Sequence, residues 1–287
     1  MMDSITVEAP AKLNLSLDVT GKMPDGYHAM KMIMTSVCLA DDVAIRLTAD
    51  GQVRAVSGLS YIPSDGQNLA SRAARIFLDH IGETAAGADM QLTKRIPVGA
   101  GMAGGSADAA AVLLGLNELT GAALDTDTLC TLGAALGSDV PYCIRGGTML
   151  AEGRGDVFSP LPPMPDCSIV VCKPPFPIST PKLFARLDYR KIRCRPDTAA
   201  LIAALESGDL PRLARRMYNI FEDVLPSQCR DVLHIKSRLL EFGALGAVMT
   251  GTGSAVFGLF DDPDAAAAAH QSLAADYREC FLTRPKM

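Results

Sequence analysis

A glycine-rich stretch in the first half of the chain carries the strongest chemical signal in the sequence. It reads Pro97-Val98-Gly99-Ala100-Gly101-Met102-Ala103-Gly104-Gly105-Ser106. Glycine permits positive φ and has no Cβ to block a ligand, so successive backbone N–H groups can turn toward one anion. A helical pattern follows to Leu119, and we expect Ser106 to cap this helix, whose N-terminus favours negative charge. The stretch therefore predicts a polyphosphate site.

Two other interpretations of the same stretch stay open. Glycines before a helix can form a loop without a ligand, and Gly99 to Gly104 also matches the dinucleotide pattern G-x-G-x-x-G. That pattern requires an acidic residue at the end of the next strand about 20 residues later. Here the corresponding window, 117–127, lies at a helix end and in the turn after it. A Walker A loop is excluded, because no Gly-Lys-Ser/Thr follows the glycines.

Two charged residues stand where charge is costly or conspicuous. Lys12 lies in an otherwise apolar strand, where an ammonium group must be paired, functional, or reach water from an edge strand. Asp139 lies between a Gly-Ser turn and Pro141, and it fits either catalysis or an ordinary turn or cap. Neither residue decides the function alone.

Two short segments could also contact a ligand. The loop Gly251-Thr252-Gly253-Ser254 lies between two apolar runs, where its glycines permit either close approach to another group or a simple tight turn. Tyr27 and His28 follow a Pro-Asp-Gly turn and could stack on a flat ring, although ordinary half-buried packing is the better explanation of an isolated Tyr-His pair.

The composition limits the class of protein. The 287 residues contain 48% hydrophobic and 21% charged residues with a net charge of −5, which is typical of a globular chain and unsuited to coating nucleic acid or anionic membrane. No apolar run reaches the roughly 18 residues of a membrane span, and we expect no targeting segment. Eight scattered cysteines and four histidines show no zinc spacing, so we expect free thiols, no structural metal and a cytoplasmic location.

The alternation of strand and helix patterns predicts an α+β chain of two domains. Strands are expected at 5–20, 32–47, 90–96, near Pro141, 167–173, 247–249 and 255–260. Helices are expected at 68–78, 106–119, 127–136, 198–207, 210–217, 229–242 and 263–276. The proline-rich segment 158–166 reads as a linker, which divides the chain into residues 1–160 and 161–287.

The three principal motifs resemble those of the GHMP kinases, which include galactokinase and the homoserine, mevalonate and phosphomevalonate kinases. These motifs are Pro10-Ala11-Lys12-Leu13-Asn14-Leu15, residues 97–111, and Thr250-Gly251-Thr252-Gly253. Further likeness lies in residues 21–28, 137–142, 146–155, 173–181, and in Asn219 with Glu222. The resemblance spans nearly the whole chain and implies a ribosomal-protein-like first domain and a ferredoxin-like second domain.

The resemblance also implies roles for individual residues. Asp139 would be the catalytic base, with Lys12 as its partner. ATP would bind through its phosphates to Pro97 and to Gly99, Ala100, Gly101, Met102, Ala103, Gly104, Gly105 and Ser106, with Mg²⁺ near Ser106 and the adenine near Asn68 and Lys94. The substrate implied is a cytidine diphosphate-linked methylerythritol of non-mevalonate isoprenoid synthesis, framed by Tyr27, His28 and Phe184, with Asn14, Thr180, Gly251 and Thr252 nearby. The protein would act as a monomer or weak homodimer.

Some positions depart from the pattern of the family. Ala103 replaces a glycine and Ala107 a serine, while Met23 and Ala40 stand where arginine and tyrosine are common. Three other functions stay open: a GHMP kinase for mevalonate or homoserine, a non-catalytic nucleotide-binding regulator of the same fold, and an NAD-binding oxidoreductase. The regulator would normally have lost Lys12 or Asp139, and both are present.

Overall fold

The computed structural model describes residues 4–63, 66–188, 192 and 194–287, and it confirms the expected α+β class. The strands are β1 Ser4–Lys22, β2 His28–Thr48, β3 Val53–Ser57, β4 Gly87–Thr93, β5 Thr148–Glu152, β6 Val157–Pro160, β7 Ser168–Lys173, β8 Tyr218–Asn219, β9 Gly246–Met249, β10 Val256–Phe260 and β11 Glu279–Thr283. The helices are α1 Leu69–His80, α2 Gly104–Thr120, α3 Thr126–Ala134, α4 Val140–Arg145, α5 Thr180–Phe184, α6 Thr198–Glu206, α7 Leu210–Arg216, α8 Arg230–Glu241 and α9 Pro263–Asp276, with a 3₁₀ turn at Ile220–Val224.

The chain forms two compact units from interleaved segments. The first unit contains the residues up to Ala11 together with Ala40–Val98 and Ala103–Gly146. The second contains Lys12–Leu39, Gly99–Met102 and Gly147–Met287. Strands β1 and β2 therefore contribute residues to both units, and the boundary expected near residue 160 stays a prediction.

In the first unit, helices α1 and α2 pack on each other, and α1 also packs on β3 and β4. Strand β4 pairs antiparallel with residues 42–48 of β2 and parallel with β3. Asn68 caps α1 as expected, because its side-chain oxygen accepts the N–H of Ala70 at 2.9 Å. Helix α2 approaches β2 at Gly115, where an added Cβ would lie only 2.5 Å from Ile45 Cδ1. The absence of a side chain there sets the distance between helix and strand.

Three expectations in the first unit are wrong in detail. Helix α2 begins at Gly104 rather than at Ser106, since Ala103 is the capping residue and its carbonyl accepts the N–H of Ala107. The segment at Pro141 is helix α4 rather than a strand, because proline is well tolerated in the first turn of a helix. The strand expected at 90–96 lies at Gly87–Thr93.

In the second unit, a four-stranded antiparallel sheet has the order β11-β7-β10-β9. Helix α8 lies close to β10, where a Cβ added at Gly258 would lie 3.3 Å from Leu239 Cβ. In the same unit, β5 pairs with residues 32–35 of β2 and with β6, and β8 pairs with β1. Strand β6 occupies the start of the segment expected to be a linker, because its residues 157–160 complete a hairpin with β5.

Three helices of the second unit have aspartate at the N-cap. Asp197, Asp209 and Asp262 cap α6, α7 and α9, each accepting a backbone N–H two or three residues later. These caps account for the close agreement between the expected and observed starts of these helices. Within the described parts of the chain, no helix has the length and apolar character needed to cross a membrane.

Candidate functional site

The glycine-rich stretch has an unusual hydrogen-bond pattern. Among the described residues, none of the eight backbone N–H groups from Gly99 to Ser106 donates a hydrogen bond to protein. Its carbonyls are used instead: Met102 O accepts the N–H of Lys12 at 3.2 Å, and Ala100 O accepts the N–H of Ala255 at 3.1 Å. Buried or half-buried amides normally have partners, so these donors remain available to a ligand.

Three residues of this stretch have left-handed backbone angles of the kind that turn successive N–H groups toward one anion. Gly99 and Gly101 have positive φ, and the capping residue Ala103 has φ 59° in the left-handed region. Alternation of left- and right-handed residues turns neighbouring N–H groups to the same side. Helix α2 follows at Gly104, and its first N–H groups add donors with partial positive charge.

The second glycine loop packs directly on the first within the second unit. A Cβ added at Gly101 would lie 2.3 Å from Thr250 O, and one added at Gly251 would lie 2.7 Å from Gly101 O. Both positions therefore exclude every residue with a side chain. The loop is also a tight turn, since the N–H of Gly253 donates to Thr250 O at 3.0 Å. The group that its glycines approach is the backbone of the first loop, and contact of residues 251–254 with a ligand stays a prediction.

Lys12 and Asn14 link these loops to strand β1. Lys12 is 5% exposed, and its Nζ donates to Asn14 Oδ1 at 2.6 Å. The same oxygen accepts the N–H of Gly251 at 3.0 Å, while the N–H of Asn14 donates to Thr250 Oγ1 at 3.0 Å. Lys12 is thus a buried, paired lysine rather than an edge-strand lysine that reaches water.

Two further polar residues hold the second loop. Asn219 Nδ2 donates to Met249 O at 2.7 Å and to Gly251 O at 2.8 Å. Glu222 Oε1 accepts the N–H of Met249 at 2.7 Å, and its other oxygen accepts from Lys236. These contacts fix the backbone on both sides of Thr250. They therefore also set the position of Thr250 Oγ1, which accepts the N–H of Asn14.

Aromatic side chains cluster elsewhere in the second unit. The ring of His28 lies 4.6 Å from that of Phe184, centroid to centroid, and Phe184 meets Phe221 edge-on at 4.8 Å. Tyr27 is 59% exposed, and the guanidinium group of Arg154 lies 4.3 Å from its ring centroid. The ring of Tyr27 is therefore exposed, while the neighbouring residue His28 packs in a cluster of aromatic rings with Phe184 and Phe221.

The carboxylate of Asp25 stabilises the turn before Tyr27. Asp25 accepts the N–H of Tyr27 at 3.0 Å and pairs with Arg154. The Tyr27 N–H and then the Arg154 guanidinium lower the pKa of Asp25 below its usual value. Elsewhere in this unit, the hydroxyl groups of Thr180 and Thr252 lie 2.7 Å apart.

The remaining candidate residues lie in the first unit. Asp139 is the N-cap residue of α4, yet its half-buried carboxylate makes no capping bond and has no other partner among the described residues. Ser106 lies in the first turn of α2, and its Oγ would be 4.0 Å from a Cβ added at Gly137. An aspartate that does not cap its own helix is free to act on something else, which disfavours the interpretation of Asp139 as an ordinary cap.

Lys94 lies in a buried ion cluster of the first unit. Its Nζ donates to Asp108 Oδ2 at 2.5 Å and to Asp41 Oδ2, and its side chain is 4% exposed. Burial raises the pKa of Asp108 to about 7, Lys94 opposes this rise, and the charge of Asp41 adds to it.

Of the residues named from the sequence, the second unit brings together Lys12, Asn14, residues 99–101 and the loop 250–254. It also brings His28 next to Phe184 and Thr180 next to Thr252. Sequence reasoning missed the ion cluster and the contact of Arg154 with Tyr27. A signal for the cluster was present, because Asp41 lies in an apolar strand where a charge requires a partner.

Comparison with known families defines the class. A sequence profile described as GHMP kinases N terminal domain matches residues 68–147, and one described as GHMP kinases C terminal matches residues 201–279. Together they cover more than half of the chain. The chain belongs to the GHMP kinase family, and it is a kinase of small molecules.

Particular relatives in this family are similar over nearly the full length. The 4-diphosphocytidyl-2-C-methyl-D-erythritol kinase of Acetivibrio thermocellus is 41% identical over 283 residues, covering 99% of each chain. That of Shouchella clausii is 44% identical over 256 residues, covering 89% of this chain and 86% of the relative.

Solved structures agree with this assignment. A crystal structure of 4-(cytidine 5'-diphospho)-2C-methyl-D-erythritol kinase aligns with a TM-score of 0.85 and 32% identity, covering 99% of this chain and 100% of the other. The mevalonate kinase of L. major aligns with a TM-score of 0.76 at 18% identity, covering 100% and 98%. The second likeness shows the shared fold alone.

Proposed function

We propose that this chain transfers the γ-phosphoryl group of ATP to the C2 hydroxyl of 4-diphosphocytidyl-2-C-methyl-D-erythritol. The observation that carries this proposal is the run of eight uncommitted N–H groups from Gly99 to Ser106. The names of the full-length relatives support the choice of substrate. The reaction belongs to non-mevalonate isoprenoid synthesis, which we place in the cytoplasm.

The nucleotide phosphates would bind to the glycine-rich stretch. Neutral amides at a helix N-terminus suit a triphosphate, and Pro97 leads the chain into the stretch without needing a hydrogen-bond partner of its own. Asn68 and Lys94 are proposed neighbours of the adenine. Within the described residues, no group of three or more acidic, histidine or cysteine side chains could hold a metal. Mg²⁺ would therefore bind mainly to the phosphates, with Ser106 Oγ beside it.

The transfer needs a base and a positive charge. The substrate hydroxyl oxygen forms a bond to the γ-phosphorus while the bond to the bridging β–γ oxygen breaks, and ADP leaves. Asp139 accepts the hydroxyl proton, and its lack of other partners supports this role. Lys12 draws negative charge from the reacting oxygens, and its fixed hydrogen bond to Asn14 keeps it oriented.

The cytosine end of the substrate would bind to the aromatic residues. Tyr27 and Phe184 offer flat surfaces for a pyrimidine, and His28 offers ring nitrogens for its polar edge. Asn14, Thr180, Gly251 and Thr252 would contact the remainder of the substrate. We propose that one chain is sufficient for activity, as a monomer or weak homodimer.

The direct test is to incubate the purified protein with Mg²⁺-ATP and 4-diphosphocytidyl-2-C-methyl-D-erythritol. We expect ADP and a singly phosphorylated product in equal amounts by mass spectrometry. Mevalonate and homoserine, offered separately, should give no product, and CTP should compete with the substrate. Turnover of mevalonate or homoserine instead would reassign the substrate, while nucleotide binding without any turnover would favour a regulator.

A further inference from the structure

The buried cluster of Asp41, Lys94 and Asp108 joins three different elements of the first unit. Asp41 lies in β2, Lys94 follows β4, and Asp108 lies in the second turn of α2. Their side chains are 0%, 4% and 6% exposed, respectively. The ammonium group of Lys94 donates to both carboxylates, so it is committed on two sides.

Asp41 also fixes the backbone that leads into the glycine-rich stretch. Its Oδ1 accepts the N–H of Arg95 at 2.5 Å and the N–H of Ile96 at 2.8 Å. Charge-assisted hydrogen bonds of this kind are stronger than neutral ones. The chain immediately before Pro97 is therefore held by a single carboxylate.

The start of α2 is held by the same cluster. A Cβ added at Gly104 would lie 3.1 Å from Ile96 Cγ2 and 3.6 Å from Lys94 Nζ. Residue 96 precedes the stretch and residue 104 begins the helix after it, so the two ends touch. Lys94 connects them, with Asp41 on the entering side and Asp108 on the helix.

We propose that Lys94, with Asp41 and Asp108, is a positioning residue that sets the spacing between the two ends of the glycine-rich stretch and so prepares its amides for phosphate. The inference rests on the proposed function of these amides. Lys94 then acts on the nucleotide through the backbone, with its ammonium directed to the two carboxylates.

The electrostatics of the cluster favour positioning over stability. Lys94 faces two carboxyl groups, burial disfavours the charged form of Asp108, and Asp108 Oδ1 is buried without a hydrogen-bond partner among the described residues. Arg95 adds some attraction toward Asp41, although its guanidinium pairs with Asp42. Buried ion clusters with unpaired atoms contribute little net stability compared with apolar packing. The main effect of the cluster is therefore on the backbone geometry at the two ends of the glycine-rich stretch, and its effect on the free energy of unfolding is small.

A comparison of two anions separates positioning from direct contact. ATP carries a base, whereas inorganic tripolyphosphate does not. For Lys94→Met, and for the milder Asp41→Asn, we expect calorimetry to show both anions bound about tenfold more weakly or worse. The factor should be the same for the two anions. If only ATP binding weakens, Lys94 contacts the base and the proposal is overturned.

Hydrogen exchange on the ligand-free enzyme tests the spacing itself. The amides of Arg95, Ile96 and Ala107 are hydrogen-bonded at the two ends of the stretch. They should exchange faster in Lys94→Met than in the wild type, and this readout does not depend on kinase activity. The matched control is Lys173→Met, which removes another buried lysine, paired with Glu279, from the second unit. It should alter neither exchange at Arg95, Ile96 and Ala107 nor anion affinity.

The outcomes are distinct. A lowered melting temperature with unchanged exchange at Arg95, Ile96 and Ala107 and unchanged affinities means a structural ion pair only, and it overturns the proposal. Should Lys94→Met not fold, Asp41→Asn decides by the same measurements, because it preserves the shape of the side chain. Wild-type protein that binds neither ATP nor tripolyphosphate would refute the proposed function, while the exchange result would still judge the positioning role.

Discussion

The ammonium group of Lys12 donates to the side-chain oxygen of Asn14 at 2.6 Å, two residues along the same strand. Alternate residues of a strand point to the same side, so this bond is possible without any distortion of β1. Asn14 in turn accepts from Gly251, which belongs to the second loop. A single amide oxygen therefore serves both the candidate catalytic lysine and the loop beside the glycine-rich stretch.

Lys12→Met should slow the chemical step. Methionine keeps the apolar stem of the side chain and removes its charge, so we expect turnover to fall about a hundredfold with nearly unchanged affinity for ATP. Steady-state kinetics with both substrates varied will measure this. The control is Lys31→Met, which removes a half-exposed lysine paired with Glu152. A change confined to ATP affinity would contradict the assignment.

Asp139→Ala should remove the proposed general base. We expect turnover to fall about a hundredfold or more, within the range for loss of a general base, while ATP still binds. Because Asp139 makes no capping bond, the free energy of unfolding should change by less than about 1 kcal/mol. Asp127→Ala, which removes an exposed partner of Arg145, is the control. Unchanged turnover would refute the role of Asp139.

Ala103→Gly should stabilise the protein. Ala103 has φ 59°, a left-handed conformation that costs an L-residue about 1 kcal/mol relative to glycine. Part of this gain is lost to the greater freedom of glycine in the unfolded chain, so we expect about 0.5 kcal/mol from urea unfolding. Ala107→Gly, within α2, should instead destabilise by about 1 kcal/mol. Equal effects at both positions would show that Ala103 is not strained.

Asp108→Asn should flatten the pH dependence of stability. Burial raises the pKa of Asp108 from 3.8 to about 7, so between these values the folded state holds a proton that the unfolded chain has released. Stability from this group therefore falls as pH rises from about 4 to about 7 and stays reduced above. Asparagine cannot ionise and removes that loss.

Urea unfolding at several pH values from about 5 to about 8 will measure this difference. The variant should gain stability over the wild type as pH rises across this range, with the full gain above pH 7. Lys94 and Asp41 remain in both proteins, so their own ionisation is common to the two curves as a first approximation. Parallel curves would mean that Asp108 does not titrate in this window.

Phe184→Leu should weaken substrate binding specifically. Leucine fills part of the space but removes the flat ring that packs against His28 at 4.6 Å. We expect the KM for the cytidine-linked substrate to rise about tenfold, with the KM for ATP unchanged. Phe242→Leu, which loses only a ring contact with Arg238, should leave both constants unchanged. An equal rise in the two KM values would indicate general unfolding of the site.

Local patterns predicted most of the elements because their causes are local. Asn68 caps α1 and Pro263 begins α9 through contacts within a few residues, and both were expected. The start of α2 was misplaced because the capping residue is an alanine whose left-handed angle follows from its surroundings rather than from its own preference. The prediction of a strand near Pro141 was wrong, because a short segment that contains proline can begin either a strand or a helix, and only its packing decides between them.

By itself, the sequence determined the family, and it predicted a phosphate site at 97–106 with Lys12 and Asp139 as candidate groups. Glycine content, a following helix and a charge in an apolar strand are local properties, and they limit chemistry wherever the chain folds. Only the tertiary structure decided the partners: Asn14 for Lys12, the backbone of Thr250 for Gly101, and two carboxylates for Lys94. Gly101 and Thr250 are about 150 residues apart, and Lys94 and its two carboxylates lie on different parts of the fold. Lys12 and Asn14 are neighbours on one strand, but the need to pair the ammonium group arises only because folding buries it.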